Sequence, residues 1–182
     1  MKIAIVLNTS WNVYNFRMGL IRELQGIGHT VQVYAPVDRF SDRLIEAGCE
    51  FIPVNMDSRG ANPVKDSALI VELAMLYRRY KPDVILHYTI KPNIYGSIAA
   101  RMVGIPVINN VCGLGTVFLK KNLVSKIAAW LYKISFRYPE KVFFQNQSDL
   151  DLFLNNKMVR EEIVDLVPGS GIHLNQFPPS SF

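Results

Sequence analysis

The chain has 182 residues, which fits one domain with a substantial buried core. It is 49% hydrophobic and 19% charged, and it is therefore richer in apolar residues than an average soluble protein. No apolar run reaches the roughly 18 residues of a transmembrane helix, and the run at 3–7 is too short for a signal-peptide core. Cys49 and Cys112 form no metal-binding pattern, and unpaired thiols favour a cytosolic chain.

The net charge of +5 is concentrated in one segment. Between residues 119 and 141 there are six bases and one acid, Glu140, and six minus one is five. The remaining 14 bases and 14 acids cancel. The six bases are Lys120, Lys121, Lys126, Lys133, Arg137 and Lys141.

Apolar runs alternate with helical periodicities along the chain. Runs such as 3–7 are typical of parallel strands that are covered on both faces. Strands are predicted at 3–7, 31–34, 51–54, 84–87, 105–108, 142–144 and 162–167. Helices are predicted between them, beginning near Phe16, Ser41, Asn62, Lys91, Asn122 and Ser148. The spacing of Phe16, Leu20 and Leu24 predicts the core-facing stripe of the first helix.

This alternation predicts an α/β fold with a doubly wound, Rossmann-like parallel sheet. In the strand order 3-2-1-4-5-6 the direction of winding reverses between the first and fourth strands, where such folds bind ligands. The crevice is therefore predicted between the loops at 8–15 and 87–93, with the loop at 109–116 beside them. The domain is assigned to residues 1–176, and 177–182 is interpreted as the start of a linker.

The loops lack the motifs of common cofactor sites. No G-x-G-x-x-G follows the first strand, where Trp11, Tyr14 and three asparagines would block a close approach to a dinucleotide, and no Walker loop occurs. His29, His87 and His173 have no ligand spacing, so no metal site is predicted.

The predicted crevice is instead rich in amides, hydroxyls and aromatic rings, which suit a sugar, and it has one lysine and glycine amides, which suit a phosphate. The predicted ligand-binding residues are Ser10, Trp11, Asn12, His87, Lys91, Asn110, Gly113, Gly115 and Thr116. For His87, a hydrogen-bonded structural role and contact with a ligand are equally compatible with the sequence, and it is the one weak candidate for catalysis. Helix capping is the alternative role for Asn12 or Asn15 and for Asn93.

Short motifs along the whole chain resemble the N-terminal half of a family-4 glycosyltransferase of the GT-B fold. They are Gly28-His29-Thr30-Val31, Lys81-Pro82-Asp83-Val84-Ile85, Lys91-Pro92, Ala99-Ala100-Arg101, Gly104-Ile105-Pro106-Val107, Asn109-Asn110, Gly113-Leu114-Gly115-Thr116 and Val167-Pro168-Gly169-Ser170-Gly171-Ile172. The variant with KPNIYGSIAAR and INNVCGLGT is similar to enzymes that extend lipid-diphosphate-linked oligosaccharides for bacterial O-antigen, capsule or glycoprotein glycans.

The resemblance implies the acceptor-binding domain of a membrane-associated, retaining transferase without a metal ion or other cofactor. The nucleotide-sugar donor would sit mainly on a second domain with an E-x7-E motif, so the chain alone is expected to be inactive. Ser170 and Gly171 would face the cleft between the domains. Two departures are His173, where the family often has an aspartate, and Asn109-Asn110, where several members have a histidine. No catalytic histidine is therefore assigned to that loop.

Two other functions fit the same motifs. A non-catalytic subunit could anchor a separate donor-binding chain to the membrane, or the chain could be half of a GT-B epimerase. About 180 further residues with E-x7-E after Phe182 would favour one two-domain enzyme, and a stop codon would favour the subunit. If the cleft binds free UDP-sugar but fails to bind any lipid-linked or pyrophosphoryl acceptor, the epimerase is favoured.

The basic segment predicts a helix with two stripes. Lys126, Trp130, Lys133 and Arg137 form the first stripe, and Ile127, Leu131, Ile134 and Tyr138 form the second, which is expected to pack on the sheet. A tryptophan among cations is typical of a helix at a membrane surface, although an ordinary solvated face is the alternative. No nucleic-acid-binding motif or groove-sized basic patch occurs. We therefore expect a cytoplasmic protein that is peripheral on the inner face of the cell membrane.

Overall fold

Parallel strands form one sheet in the order β3-β2-β1-β4-β5-β6-β7. The computed structural model describes residues 1–58, 60, 62–113 and 123–169. The strands are β1 (Lys2–Val6), β2 (Thr30–Ala35), β3 (Glu50–Pro53), β4 (Val84–Tyr88), β5 (Val107–Val111), β6 (Lys141–Phe144) and β7 (Val164–Leu166). The predicted class and strand order are confirmed, including the reversal between β1 and β4.

Helices connect the strands in the predicted order, but the predicted loop at 8–15 is wrong in its extent, because the first helix already begins at Ser10. They are α1 (Ser10–Gly26), α2 (Ser41–Glu46), α3 (Pro63–Tyr80), α4 (Ser97–Val103), α5 (Leu123–Ser135) and α6 (Gln147–Asn155). A π-helical turn, Pro92–Gly96, leads directly into α4, and a 3-10 turn, Glu161–Ile163, precedes β7. Such π-helical turns are rare and occur frequently at functional sites.

The caps at the helix starts follow from local residue choice. As predicted, Asn62 caps α3: its side chain accepts from the backbone N–H groups of Val64 and Lys65, and proline follows at the first helical position. At α1 the cap is Thr9, whose side chain accepts from the Asn12 N–H. The expectation that Asn12, Asn15 or Asn93 caps a helix is therefore wrong.

Helices cover both faces of the sheet. On one face, Ile5 and Val33 pack with Ile21 of α1 and Leu44 of α2. On the opposite face, the first half of the sheet packs against α3 and α4, and Val142 and Phe144 pack against α5 and α6. A separate helical layer on each face buries the continuous apolar runs of the strands, as a doubly wound fold requires.

The α1 side of the sheet is only partly covered. Leu86 on β4 and Ile108 on β5 are register partners, and Phe143 on β6, whose partner on β5 is Asn110, faces the same side; each of the three is half-buried. Among the described residues, α1 and α2 lie over the β1–β3 end of this face. A groove therefore remains beside α1 and over β4–β6.

The buried stripe of α1 differs from the predicted one. Val13, Arg17 and Ile21 are buried, whereas Leu20 is 37% exposed and Phe16 is half-buried. The two candidate stripes are both mostly apolar, but the stripe that faces the core contains an arginine. Of the predicted stripe, Phe16 and Leu20 instead border the groove, whereas Leu24 packs, partly buried, against the core.

Candidate functional site

A crevice lies at the carboxyl edge of the sheet, where winding reverses between β1 and β4. The chain leaves β1 into α1 on one face of the sheet, and it leaves β4 into the π-helical turn on the other. Adjacent strands whose connections diverge in this way open a cleft between their loops. The predicted site residues with described positions lie around this edge, but their side chains play different roles.

Ser10 is a structural residue. Its side chain is fully buried, its Oγ donates to the Pro36 carbonyl at 2.7 Å, and it lies 3.3 Å from the Ser41 Oγ. These contacts tie the start of α1 to the loop before α2. The predicted ligand contact by Ser10 does not fit this position.

Trp11 and Asn12 lie on the accessible first turn of α1. The Trp11 side chain is 42% exposed, and its ring meets Phe16 edge-on with centroids 5.5 Å apart. The backbone N–H of Trp11 donates to Asp38, which holds the turn in place. Asn12 is half-buried, and its Nδ2 donates to Asn8 Oδ1 at 3.3 Å. Both side chains remain candidates for contact with a ligand.

His87 is buried inside the sheet–helix interface. It is fully inaccessible, its Nε2 lies 3.0 Å from the Tyr77 hydroxyl, and its Nδ1 lies 3.1 Å from Asn109 Oδ1. Because a carbonyl oxygen only accepts, Nδ1 carries the proton and Nε2 accepts from Tyr77. A side-chain carbon at Gly96 would lie 2.4 Å from Nε2, so the π-helical turn packs directly on the ring.

Burial lowers the pKa of His87 to about 3, although the hydrogen bond to Asn109 opposes this shift. The ring is therefore neutral at physiological pH. A neutral, fully enclosed imidazole with both nitrogens hydrogen-bonded cannot contact a ligand in the crevice. The structure thus supports the structural alternative for His87 and not the proposed contact or catalysis.

Lys91 is paired with a buried carboxylate. Its ammonium lies 2.8 Å from Asp66 Oδ1, and the two side chains are only 13% and 6% exposed. Asp66 Oδ2 also accepts from the Tyr95 hydroxyl at 3.0 Å and from the Asn62 N–H at 3.2 Å. This cluster joins the start of α3 to the loop after β4. The lysine charge is already neutralised, which weakens the prediction that Lys91 holds a phosphate.

Asn110 and Gly113 lie at the accessible end of β5. Asn110 is half-buried, lines the groove, and its carbonyl accepts from Asn93 Nδ2 at 2.9 Å. Gly113 is exposed with φ of +132°, a conformation that favours glycine. Both remain candidate contacts. Gly115, Thr116, Ser170 and Gly171, together with the linker 177–182, lie outside the described residues.

The groove beside α1 is a pocket of about 530 Å³. Its upper end lies at the carboxyl edge of the sheet and is lined by Asn15, Arg17, Tyr88, Asn110 and Gln145. Its lower wall is apolar and is formed by Phe16, Leu20, Leu86, Ile108 and Phe143. One end therefore offers polar groups and a cation, and the other offers an apolar surface.

Arg17 is the residue of this pocket that the sequence predictions missed. It is 7% exposed, its guanidinium stacks 4.2 Å from the centroid of the Tyr88 ring, and its Nη2 lies 3.3 Å from the Cys112 Sγ. Its Nε is buried and has no hydrogen-bond acceptor among the described residues. The available signal was an arginine spaced four residues from both Val13 and Ile21, on what proves to be the core-facing stripe.

The neighbours of Arg17 are themselves buried. Burial raises the pKa of Tyr88 to about 12, and the positive charge of Arg17 opposes this shift. Burial also raises the pKa of the Cys112 thiol, again against the effect of Arg17. Both groups are neutral at physiological pH, so they do not balance the arginine charge.

Thr89, the residue after β4, has an unusual backbone conformation. Its φ is +66°, which is strained for a β-branched residue, and its Oγ1 is buried without a hydrogen-bond partner. Strain of this kind persists only where surrounding structure imposes it, and it is concentrated at functional sites. Thr89 also hydrogen-bonds the Cys112 thiol through its backbone, so it lies beside the Arg17 cluster.

A sequence model of the glycosyl transferase 4-like family matches residues 2–146 of this chain. The chain belongs to this family. One relative is the N,N'-diacetylbacillosaminyl-diphospho-undecaprenol alpha-1,3-N-acetylgalactosaminyltransferase of Campylobacter jejuni, which is 28% identical over 98% of this chain and 49% of the relative. Another is the UDP-Gal:alpha-D-GlcNAc-diphosphoundecaprenol alpha-1,3-galactosyltransferase of Escherichia coli, 24% identical over 67% of this chain and 32% of the relative. The chain spans about half, or less, of the curated relatives it matches.

Solved structures agree on the fold of this glycosyl transferase 4-like chain. HepE of Anabaena in complex with UDP-glucose superposes with a TM-score of 0.67 at 15% identity, over 99% of this chain and 46% of that protein. The UDP-GlcNAc 2-epimerase of Methanocaldococcus jannaschii superposes with a TM-score of 0.66 at 16% identity, over 92% of this chain and 45% of that protein. The resemblance to one half of a GT-B fold is thereby confirmed. At these identities the similarity establishes the fold alone.

The α5 helix exposes the predicted cationic stripe. Lys126 and Lys133 are exposed on α5, Trp130 is 61% exposed, and Arg137 is exposed just beyond the end of the helix at Ser135. The prediction that the second stripe packs on the sheet holds for Leu131, which packs partly buried against the core, but it is wrong for Ile127 and Tyr138, which are 49% and 39% exposed. The face that packs on the sheet is instead formed by Ala128, Tyr132, Ser135 and Phe136. Tyr132 and Phe136 reach Phe153 of α6, which explains why this face is the buried one.

Two further predictions concern ligands and membranes. Among residues 1–58, 60, 62–113 and 123–169, no group of three or more histidine, cysteine or acidic side chains could hold a metal ion. Within the same described residues, no helix is long and apolar enough to cross a bilayer.

Proposed function

We propose that this chain is the acceptor-binding half of a glycosyltransferase that moves a sugar from a nucleotide-sugar to a glycan carried on a lipid diphosphate. The observation that carries the proposal is the match to two named transferases of undecaprenol-diphosphate-linked sugars, one of which aligns with 98% of this chain and with only 49% of its own length. In the proposed enzyme the donor is bound mainly by the other half, and this chain alone is inactive.

The crevice residues support a binding role. Trp11, Asn12 and Asn110 offer an aromatic face and amides, which are groups that hold a sugar. Gly113 lets a ligand approach the backbone closely at the end of β5. We extend the proposed contact set to Gly115 and Thr116, and we place Ser170 and Gly171 at the cleft between the halves, on the basis of the family motifs.

Calorimetry with the 182-residue chain tests this function. A short-chain prenyl diphosphate carrying N-acetylglucosamine should bind, and free UDP-sugars should bind more weakly. Trp11→Ala should weaken the binding of the acceptor, whereas Ile27→Ala, an exposed residue at the far end of α1, should not. Binding of UDP-sugar without any binding of the lipid-linked sugar would contradict the proposal and favour an epimerase-type half.

We also propose that α5 places the domain on the inner face of the cell membrane. Lys126 and Lys133 of α5 and Arg137, two residues after its end, are exposed together with Trp130 and Ile127. Each base near anionic lipid contributes roughly 1 kcal/mol, and tryptophan favours headgroup depth. A domain held at this surface would meet an acceptor that is carried on a lipid.

Vesicle sedimentation tests the membrane contact. The Lys126→Glu, Lys133→Glu and Arg137→Glu triple variant changes the net charge by six, from +5 to −1, and should lose binding to phosphatidylglycerol vesicles. A control with Arg22→Glu, Arg78→Glu and Arg160→Glu makes the same change of net charge at exposed positions elsewhere and should retain most of the binding. Equal loss in both triple variants would show that only net charge matters and would refute docking through α5.

The chain has two tryptophans, which allows a second measurement of the same contact. In a Trp11→Phe variant, Trp130 is the remaining fluorophore. Its emission should shift to shorter wavelength when anionic vesicles are added and should not shift with phosphatidylcholine vesicles. High salt should reverse the shift, because it screens the charges that bring the helix to the surface.

A further inference from the structure

The pocket beside α1 contains a buried cation whose charge is not balanced. Arg17 is 7% exposed, and no carboxylate of the described residues forms an ion pair with it. Its stacking partner Tyr88 and its hydrogen-bond partner Cys112 are neutral groups. Removing a guanidinium from water without a counter-charge is unfavourable unless another group completes its interactions.

Arg17 also has hydrogen-bonding capacity that the part of the chain described by the structure does not use. A guanidinium has five N–H bonds. One is donated to the Phe16 carbonyl at 3.0 Å and one to the weak acceptor Cys112 Sγ, which leaves three. The Nε–H, which belongs to the edge that binds oxyanions bidentately, is buried without an acceptor.

Polar and strained groups surround this cation at the carboxyl edge of the sheet. Asn15, Asn110 and Gln145 line the same end of the pocket. Thr89, beside Cys112, combines a φ of +66° with a buried Oγ1 that has no partner. Arg17 and Thr89 both contact Cys112, and each has a buried polar atom without a partner among the described residues. Such groups indicate a place where a ligand completes the hydrogen bonding.

The shape of the pocket limits the ligand. Its volume of about 530 Å³ exceeds the space that a single phosphate needs, and its lower wall is apolar. The ligand should therefore combine an anionic group with an apolar or flat aromatic group. We propose that Arg17 anchors a diphosphate at this edge of the sheet, with the organic group of the same molecule lying against Phe16, Leu86 and Ile108. This inference rests on the proposed function, since both the donor and the acceptor of that reaction contain a diphosphate.

The nucleotide-sugar donor and the lipid-linked acceptor both combine a diphosphate with an organic group, and binding measurements distinguish between them. The probes are inorganic pyrophosphate, UDP and geranyl diphosphate, each titrated into the 182-residue chain by calorimetry. Binding of geranyl diphosphate that depends on Arg17 assigns the site to the lipid-linked acceptor. Binding of UDP that depends on Arg17 assigns it to the donor; that result supports the anchor but contradicts an exclusive acceptor role for this half.

The variants are chosen so that an effect on ligand affinity can be distinguished from an effect on folding. Arg17→Met keeps the length of the side chain and removes the buried charge, so the chain should fold with equal or greater stability while the affinity falls by about ten- to a hundredfold. Arg17→Lys keeps the charge but loses the planar fork, and it should restore only part of the affinity. Arg22→Met, on the exposed side of the same helix, should leave the affinity unchanged.

A spectroscopic measurement excludes a purely structural role. The NMR signal of the Arg17 Nε–H, assigned by its disappearance in Arg17→Lys, should shift on addition of the diphosphate that binds. If geranyl diphosphate or UDP binds equally well to wild type and a folded Arg17→Met variant, the anchor is refuted, although the proposed function stands. If none of the three probes binds to the wild-type chain, the anchor is also refuted.

Discussion

The neutrality of buried His87 predicts a specific loss of stability at mildly acidic pH. An unfolded histidine has a pKa of about 6.5, whereas burial lowers the pKa of folded His87 to about 3. Between these values the unfolded chain binds one more proton than the folded chain. The contribution of buried, neutral His87 to the free energy of unfolding is therefore fully present above pH 6.5. This contribution is lost as the pH falls toward 3.

The size of this loss of stability follows from how far the pH falls below the pKa of the unfolded histidine. One pH unit corresponds to roughly 1.4 kcal/mol, so His87 should lower the free energy of unfolding by about 2 kcal/mol between pH 7.5 and pH 5. Carboxylates titrate mostly below this window. Urea unfolding, followed by tryptophan fluorescence at half-unit steps of pH, measures the slope directly.

His87→Gln separates this effect from the other histidines. A glutamine amide does not titrate, and its oxygen can replace Nε2 as the acceptor for the Tyr77 hydroxyl. The variant is expected to be less stable at pH 7.5 but to lose about 2 kcal/mol less on acidification. His29→Gln removes a histidine that lies outside this network and is the matched control for the loss of one histidine. An unchanged slope in folded His87→Gln would falsify the conclusion that His87 is buried and neutral.

Two further predictions test the packing around the crevice. Gly96→Ala should lower the free energy of unfolding by about 2 kcal/mol, because the new carbon would lie 2.4 Å from His87 Nε2, whereas Gly26→Ala, with no atom within 4 Å, should not destabilise. Urea midpoints decide this, and equal midpoints would contradict the close packing. Asp66→Asn should cost about 3 kcal/mol, since it leaves a buried ammonium unpaired. Asp57→Asn breaks an exposed pair and should leave the midpoint unchanged, so equal effects of the two substitutions would contradict the burial of the first.

The fold could be predicted because its signals are local and repeated. Most strands contain a short apolar run, such as 3–6 in β1, and Asn62-Pro63 marks the start of α3 as predicted. A parallel sheet with alternating helices then leaves few possible strand orders. The reversal between β1 and β4 follows from the same order.

The buried faces of α1 and α5 could not be predicted in the same way. Both helices have apolar residues on more than one side, so periodicity alone does not select the face that meets the sheet. In α1 the true stripe contains Arg17, which makes it look less apolar than the stripe at Phe16 and Leu20. In α5 the choice depends on the distant Phe153, which packs on Tyr132. Both outcomes are set by tertiary contacts.

The site was harder to predict because a polar residue at a strand end can point to either face of the sheet. His87 and Tyr88 are neighbours in β4, yet the first lies among Tyr77 and Asn109 on the α3 side and the second stacks on Arg17 on the α1 side. His87, whose side chain type is the more versatile in catalysis and binding, is the enclosed one of the two. Alternation along a strand places one of two neighbours at the crevice without showing which.

A common physical distinction separates the structural from the ligand-binding residues of this crevice. Ser10, His87 and Lys91 have buried polar atoms that the protein itself satisfies, and these contacts fix the rim by joining α1 to α2, β4 to β5, and the β4 loop to α3. Arg17 and Thr89 have buried polar atoms without a hydrogen-bond partner among residues 1–58, 60, 62–113 and 123–169. Because a fold gains nothing in stability from such groups, their position at the edge of an open pocket is best explained by a ligand. The types of the residues therefore predicted which residues form the rim of the crevice. Their unsatisfied hydrogen-bonding groups are the basis on which we propose which residues face the ligand.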